Sequence, residues 1–128
     1  MQRHLVLVSD PEFSDIISGK STFLVRFFKK RFDFMSSLQK GDLIYLRKKH
    51  GEVLGQFNVG KVILIEGVEN NDFKVLKDYL KDLTKGFFEE KVYQNSIIIV
   101  VQIEKLEQFI TSPINTPKSR KEWIVLEE

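Results

Sequence analysis

Apolar positions change their period several times along the chain, and each change marks an element. Leu5 to Val8 is an uninterrupted apolar run stopped by Ser9-Asp10-Pro11, the pattern of a short buried strand. Asp10 then suits a helix N-cap, with Pro11 at the first helical position. Phe13, Ile16 and Ile17 give the i, i+3, i+4 stripe of a short helix, and Gly19 stands where a left-handed cap would close it. Ser21 to Phe28 reads as a second strand, with Phe23, Val25 and Phe27 on one face and Thr22, Leu24 and Arg26 on the other. Lys29 to Lys40 is polar enough to predict an exposed loop. Gly41-Asp42 predicts a turn before a strand over Leu43 to Arg47, and Lys49-His50-Gly51-Glu52 carries hairpin-turn chemistry.

Val53 to Ile65 predicts a long strand whose phase slips. Phe57 and Val59 are odd-numbered and Val62 and Leu64 even-numbered, so Gly60 falls where a bulge or barrel corner belongs. Phe73, Leu76, Leu80 and Leu83 predict a helix over residues 72–85, stopped by Gly86, and Phe87 to Tyr93 suits a further turn. Ile97 to Ile103 predicts the most buried strand. Leu106, Phe109 and Ile110 form a small apolar cluster, and Trp123 to Leu126 predicts a closing strand. The spacing of strands does not suit repeated βαβ units. The class is therefore α+β: a small, strongly bent mixed sheet or barrel with two to three flanking helices.

The 128 residues fit a single domain over 1–128. Cysteine is absent, which excludes disulfides, zinc–thiolate centres, iron–sulfur clusters and a cysteine nucleophile. His4 and His50 are the only histidines and neither has a second ligand at metal spacing, so neither a metal nor a cofactor is expected. The longest apolar run, Ile97 to Val101, is too short for a membrane span, so no membrane partner is expected. The amino terminus lacks the long apolar core of a secretory signal, and a cytoplasmic location is the default.

The net charge of +2 hides a strong segregation. Residues 26 to 50 hold eight basic side chains against Asp33 and Asp42, a local +6, whereas residues 51 to 110 hold seven basic and ten acidic ones, a local −3. One electropositive surface is the expectation.

The ordered set of features resembles the PUA-like superfamily, in particular its ASCH and EVE branches. It is carried by His4-Leu5-Val6-Leu7-Val8, by Phe13 through Lys20, and by Arg26. Leu38 through Tyr45, Val53-Leu54-Gly55 and the segment from Phe109 to Pro113 agree with it. The resemblance implies a β-barrel with a cleft beside the first helix, taking RNA, a nucleotide or a modified base. The ASCH pattern Gly-x-Lys-x-x-Glu-x-Arg is met at Gly19 and Arg26. Ser21 occupies its lysine position, with Lys20 adjacent, and Leu24 its glutamate position. Relatives that hydrolyse modified cytidines use that lysine, so the departure argues against an enzyme. A serine without a neighbouring base keeps its proton and is a poor nucleophile. The base-reading aromatic cage of the EVE branch cannot be built from several tryptophans, because Trp123 is the only one.

Ser18-Gly19-Lys20-Ser21-Thr22 imitates the end of a P-loop, but a helix precedes it and a strand follows, the reverse of what that motif needs. Lys20 and nearby amides remain a candidate phosphate hold. Phe27-Phe28-Lys29-Lys30-Arg31-Phe32 interleaves cations with aromatics, complementary to the phosphates and base faces of a single strand. Phe32 is either a stacking platform or core. Arg47 and Lys48 are expected to add to the same field, and Arg120, just before Trp123, to add a phosphate contact. Trp123 itself reads first as a core plug and second as a ligand-facing ring. Ser9, Thr22 and Tyr45 are candidates for polar contacts to a base, and Arg26, Lys29, Lys30 and Arg31 for phosphate contacts. The expected function is a non-catalytic RNA-, nucleotide- or modified-base-binding module. The alternatives are an amidohydrolase using Lys20 or an adaptor for an acidic protein.

Overall fold

The computed structural model describes residues 1–49, 51–66, 97–117, 119 and 121–126. The helix predicted over 72–85, the turn at 87–93, His50 and Arg120 lie outside the described residues. Six strands form one mixed sheet: β1 (Arg3–Val8), β2 (Phe23–Phe28), β3 (Leu43–Lys48), β4 (Val53–Ile65), β5 (Ile97–Gln108) and β6 (Trp123–Leu126), in the order β2-β5-β4-β3-β1-β6. Only β1 and β3 run parallel; the other neighbours are antiparallel. The sheet curls into a half-barrel around one large apolar cluster that includes Val6, Leu24, Ile44, Leu46, Phe57 and Ile99.

Two helices are described, α1 (Asp10–Ile17) and the single-turn α2 (Phe34–Ser37). The N-cap of α1 is Ser9, not Asp10. Ser9 is extended, and its Oγ accepts the Glu12 amide at 3.2 Å, while Asp10 becomes the first helical residue. Asp10 and Glu12 then sit in the first turn, where the helix dipole favours negative charge. Gly19 does close the helix in a left-handed conformation, at φ +81°. Phe13 and Ile16 enter the core, and α1 packs over β3 and β5. It also crosses β4 at Gly55, where a Cβ would stand 3.2 Å from Phe13 Cε2 and 3.6 Å from Ile17 Cδ1. Glycine is needed there for close approach rather than for backbone freedom.

The alternation predicted for β2 holds. Leu24 and Phe28 belong to the interior cluster, while Phe23, Val25 and Phe27 pack with Ile98 and Val100 on the opposite face. The slip in β4 holds as well. Its pairing with β5 shifts between Val59 and Val62, so Phe57 and Val59 face the interior before the bulge and Val62 and Leu64 face it afterwards.

Two further expectations are corrected. The stretch from Lys29 to Lys40 is not loop throughout, because Phe34 and Met35 lie in a turn of helix capped by Leu38, and all three are buried. A single turn is too short to repeat an apolar stripe, so the sequence carries no helical period there. Strand β5 continues past Ile103 to Gln108 and absorbs Leu106. A second register shift lies opposite Gln56 and Asn58, and Lys105 there adopts φ +49°, so the bulge carries the strand through a charged stretch that breaks the apolar pattern.

Candidate nucleic-acid interface

Arg26 was expected to meet phosphates, and the structure gives it a different task. It lies on edge strand β2 and is buried, with 7% of its surface exposed. Its Nη1 and Nη2 donate to the two Glu12 carboxylate oxygens at 2.7 and 2.6 Å. The same nitrogens donate to the carbonyls of Val25 and Leu7, each at 2.8 Å. Nε meets Glu122 Oε1 at 2.9 Å. All five guanidinium N–H groups are therefore used, and none is left for a ligand. These bonds tie β2 to β1, to α1 and to the residue preceding β6, which draws the two ends of the sheet together. Glu122 is held above the usual carboxylate range, first by burial and then by Glu12, against the lowering effect of Arg26.

A second polar cluster lies at the end where β1 begins. His4 is fully buried, its Nε2 is 3.3 Å from Asp42 Oδ2, and the Trp123 indole Nε1–H donates to His4 Nδ1 at 3.1 Å. Asp42 also accepts the amides of Gln2 and Gln39, at 3.0 and 3.1 Å. Burial holds the His4 imidazole below its ordinary range, with Asp42 opposing. Neither His4 nor Asp42 was singled out from sequence as a polar core pair, because no local pattern joins residues 38 positions apart.

The aromatic and basic run has a definite geometry. Phe32 is 38% exposed and stacks on Phe34 with centroids 6.1 Å apart and an interplanar angle of 16°. Phe34 in turn stacks on Trp123 at 4.8 Å and 6°. Phe28 meets Phe32, Phe34 and Trp123 edge-on. The Lys30 ammonium lies 5.2 Å from the Phe32 ring centroid. Arg31 is exposed and paired with Glu66 and the Ser36 hydroxyl. Lys29, which precedes Lys30 in the chain, is exposed.

The remaining expected contacts do not join this surface. Because β1 and β3 are parallel, Lys48 pairs with Val8, at the far end of β1 from His4. There its ammonium lies 4.9 Å over the Phe13 ring and 3.9 Å from Asp10. Ser9 caps α1 at that same end, while Lys20 and Thr22 are exposed between α1 and β2. Arg47 donates to the carbonyls of Gly51, Pro117 and Ser119 at 3.2, 3.1 and 2.7 Å, binding the segment before β6 to the end of β3. Tyr45 is buried with Leu5 and Val53 on the outer face of the sheet, and Trp123 is buried in the interior. The expected single basic field is thus divided between the two ends of the barrel.

No family model matches the chain, and no curated protein matches it. Its fold does match solved structures. The ASCH protein of Zymomonas mobilis superposes with a TM-score of 0.59 at 12% identity, covering 98% of this chain and 88% of that one. Two point variants of the same protein give TM-scores of 0.60 and 0.59 at 12% and 11% identity, covering 98% and 100% of this chain and 89% and 92% of theirs. This chain shares the fold of that ASCH protein. The places of the ASCH pattern can be read within it. Ser21, at the lysine position, is buried and bonds its amide to the Asp15 carbonyl at 2.9 Å; Leu24, at the glutamate position, is buried in the core. Arg26, at the arginine position, closes the sheet. In this version of the ASCH fold those three positions supply architecture.

Proposed function

We propose that the protein is a non-catalytic module that binds single-stranded RNA or a nucleotide on the surface formed by Lys29, Lys30, Arg31 and Phe32. The carrying observation is the ring stack Phe32–Phe34–Trp123, which runs from the surface into the core and holds an exposed aromatic face in place. A base stacked on such a face contributes about 1–3 kcal/mol whatever its identity. Lys30 stands over that ring and the exposed Lys29 precedes it in the chain, so both are candidates for the phosphates that flank a stacked base. In the free protein Lys30 sits over the ring, and moving to a phosphate exchanges a cation–π contact for an ion pair.

The amidohydrolase reading is disfavoured because the lysine and glutamate of the hydrolytic pattern are replaced by the buried Ser21 and Leu24. Among the described residues no helix is long and apolar enough to cross a membrane. The test is binding of a labelled single-stranded RNA across a salt series by wild type and by the Lys30→Glu, Arg31→Glu double variant. Each lost phosphate contact is expected to flatten the log–log salt slope by about 0.7. Unchanged affinity and slope in the double variant would remove this surface from the function. If short RNA fails to bind the wild type but an acidic protein partner does, the surface serves as an adaptor.

A further inference from the structure

A cavity of about 470 Å³ opens on the outer side of the sheet, between the end of the β3–β4 hairpin and the segment before β6. It is separate from the Phe32 surface. One of its walls, Ile114, packs on the outer cluster of Leu5, Tyr45 and Val53, whereas Phe32 stacks toward the interior. The volume falls in the range that holds a small ligand. Its polar lining is Arg47, Glu52, Thr111, Ser112, Asn115 and Thr116. Ile114 and Pro117 add apolar surface.

The chemistry of this lining is specific. Arg47 spends Nε and Nη1 on three carbonyls, which fix the guanidinium in place. Among the described residues, Nη2 has no hydrogen-bond partner. A guanidinium held by its other nitrogens and presenting one free NH₂ is a preorganised oxyanion donor. The hydroxyls of Thr111 and Thr116 and the Asn115 amide can complete an oxyanion's coordination. The exposed Glu52 carboxylate can only accept, so it favours a ligand with hydroxyl donors over a bare anion. Ser112 donates its hydroxyl to the Ile114 carbonyl at 2.7 Å, which holds the wall rather than the ligand.

We infer that this cavity binds a phosphorylated sugar, free or as part of a mononucleotide, with the phosphate on Arg47 Nη2 and the sugar hydroxyls toward Glu52. The inference does not rest on the RNA-binding surface and can fail independently of it.

The test titrates the whole protein with ribose 5-phosphate, adenosine monophosphate, ribose and inorganic phosphate, followed by amide chemical shifts. Saturable shifts at residues 51, 52, 111, 112 and 114–116 are expected with the two phosphate esters, and ribose 5-phosphate, which has no base to stack on Phe32, is expected to leave residues 29–32 unshifted. Binding of ribose or inorganic phosphate is expected to be weaker by about tenfold or more, as befits loss of a charged hydrogen-bond set. Tighter binding of the mononucleotide identifies a nucleotide site, and equal binding identifies a sugar-phosphate site. Arg47→Lys is expected to weaken both esters. Because that change also releases the strap, Asn115→Ala and Glu52→Gln, which leave the Arg47 bonds intact, are to weaken them too. No saturable shift in the cavity, ribose binding as tightly as its phosphate, ribose 5-phosphate shifts mapping to residues 29–32, or unchanged affinity in all three cavity variants would overturn the assignment.

Discussion

The Trp123 indole donates to His4 Nδ1, and this one bond fixes which ring nitrogen of the histidine carries the proton. Indole N–H can only donate, so Nδ1 must be bare. The proton of the neutral ring then sits on Nε2 and is donated to Asp42 Oδ2. Protonating His4 would place a second N–H against the indole in a site with no exposed surface.

Acid sensitivity follows from that arrangement. The folded protein holds His4 below the ordinary histidine value of 6.5, mainly through burial. Between that value and the lower folded one, the unfolded chain binds the proton and the folded chain does not. Stability is therefore complete above pH 6.5 and declines as the pH falls below it, by at most about 1.4 kcal/mol per pH unit. Glu122 acts in the opposite sense: its folded value is raised above 4.5, so its effect weakens the fold as pH rises through that value. Its side chain is half exposed, which makes it the smaller effect. Urea denaturation between pH 5 and 8 checks the sign, with Glu122→Gln as the background and His4→Gln expected to remove the slope.

Loss of Arg26 is expected to be severe. Arg26→Met would leave Glu12, Glu122 and the Leu7 carbonyl without their shared donor, and removing one partner from a buried ion pair costs about 3–5 kcal/mol. Arg26→Lys is expected to recover only part, since three donors on a point charge cannot replace five in a planar fork. Equilibrium unfolding followed by Trp123 fluorescence measures both. A cost below that of an ordinary surface substitution would show that the guanidinium does not close the sheet.

Gly55 offers a packing test. Gly55→Ala would recover about 0.5–1 kcal/mol of backbone entropy, but its Cβ would press on the Phe13 ring. Overpacking of this kind costs about 1–3 kcal/mol, so net destabilisation is expected. Phe13→Leu in the same chain should make the double variant less unstable than the sum of the singles. Strict additivity would mean that the ring and the glycine do not meet.

Phe32 and Phe34 should separate binding from stability. Phe32→Ala is expected to leave the fold close to wild type and to weaken single-stranded RNA by about 1–3 kcal/mol. Phe34→Ala, which empties the core beneath, is expected to cost about 3–5 kcal/mol of stability. Thermal unfolding and RNA titration of the two variants, read together, decide whether the surface ring recognises a ligand or only shields the core.

The strands were legible because their determinants are local. Val53–Ile65 and Trp123–Leu126 begin and end where the apolar pattern does, and the odd-to-even change across Gly60 located a bulge before any pairing was known. The one-turn helix at Phe34 was hidden because one turn is too short to show a period, and the extension of β5 because the Glu104-Lys105 pair interrupts the apolar pattern. The roles of the charged residues were not legible at all. Arg26 and Arg47 have the same composition-level signature as Lys30, yet one joins the sheet ends, the other ties down a strap, and the third stands over an exposed ring. Local sequence sets which residues alternate, turn and cap, since those depend on neighbours within a few positions. Which cations reach water depends on carboxylates and carbonyls that the fold brings from distant positions, as Glu122 and Leu7 are brought to Arg26, and only the tertiary structure decides that.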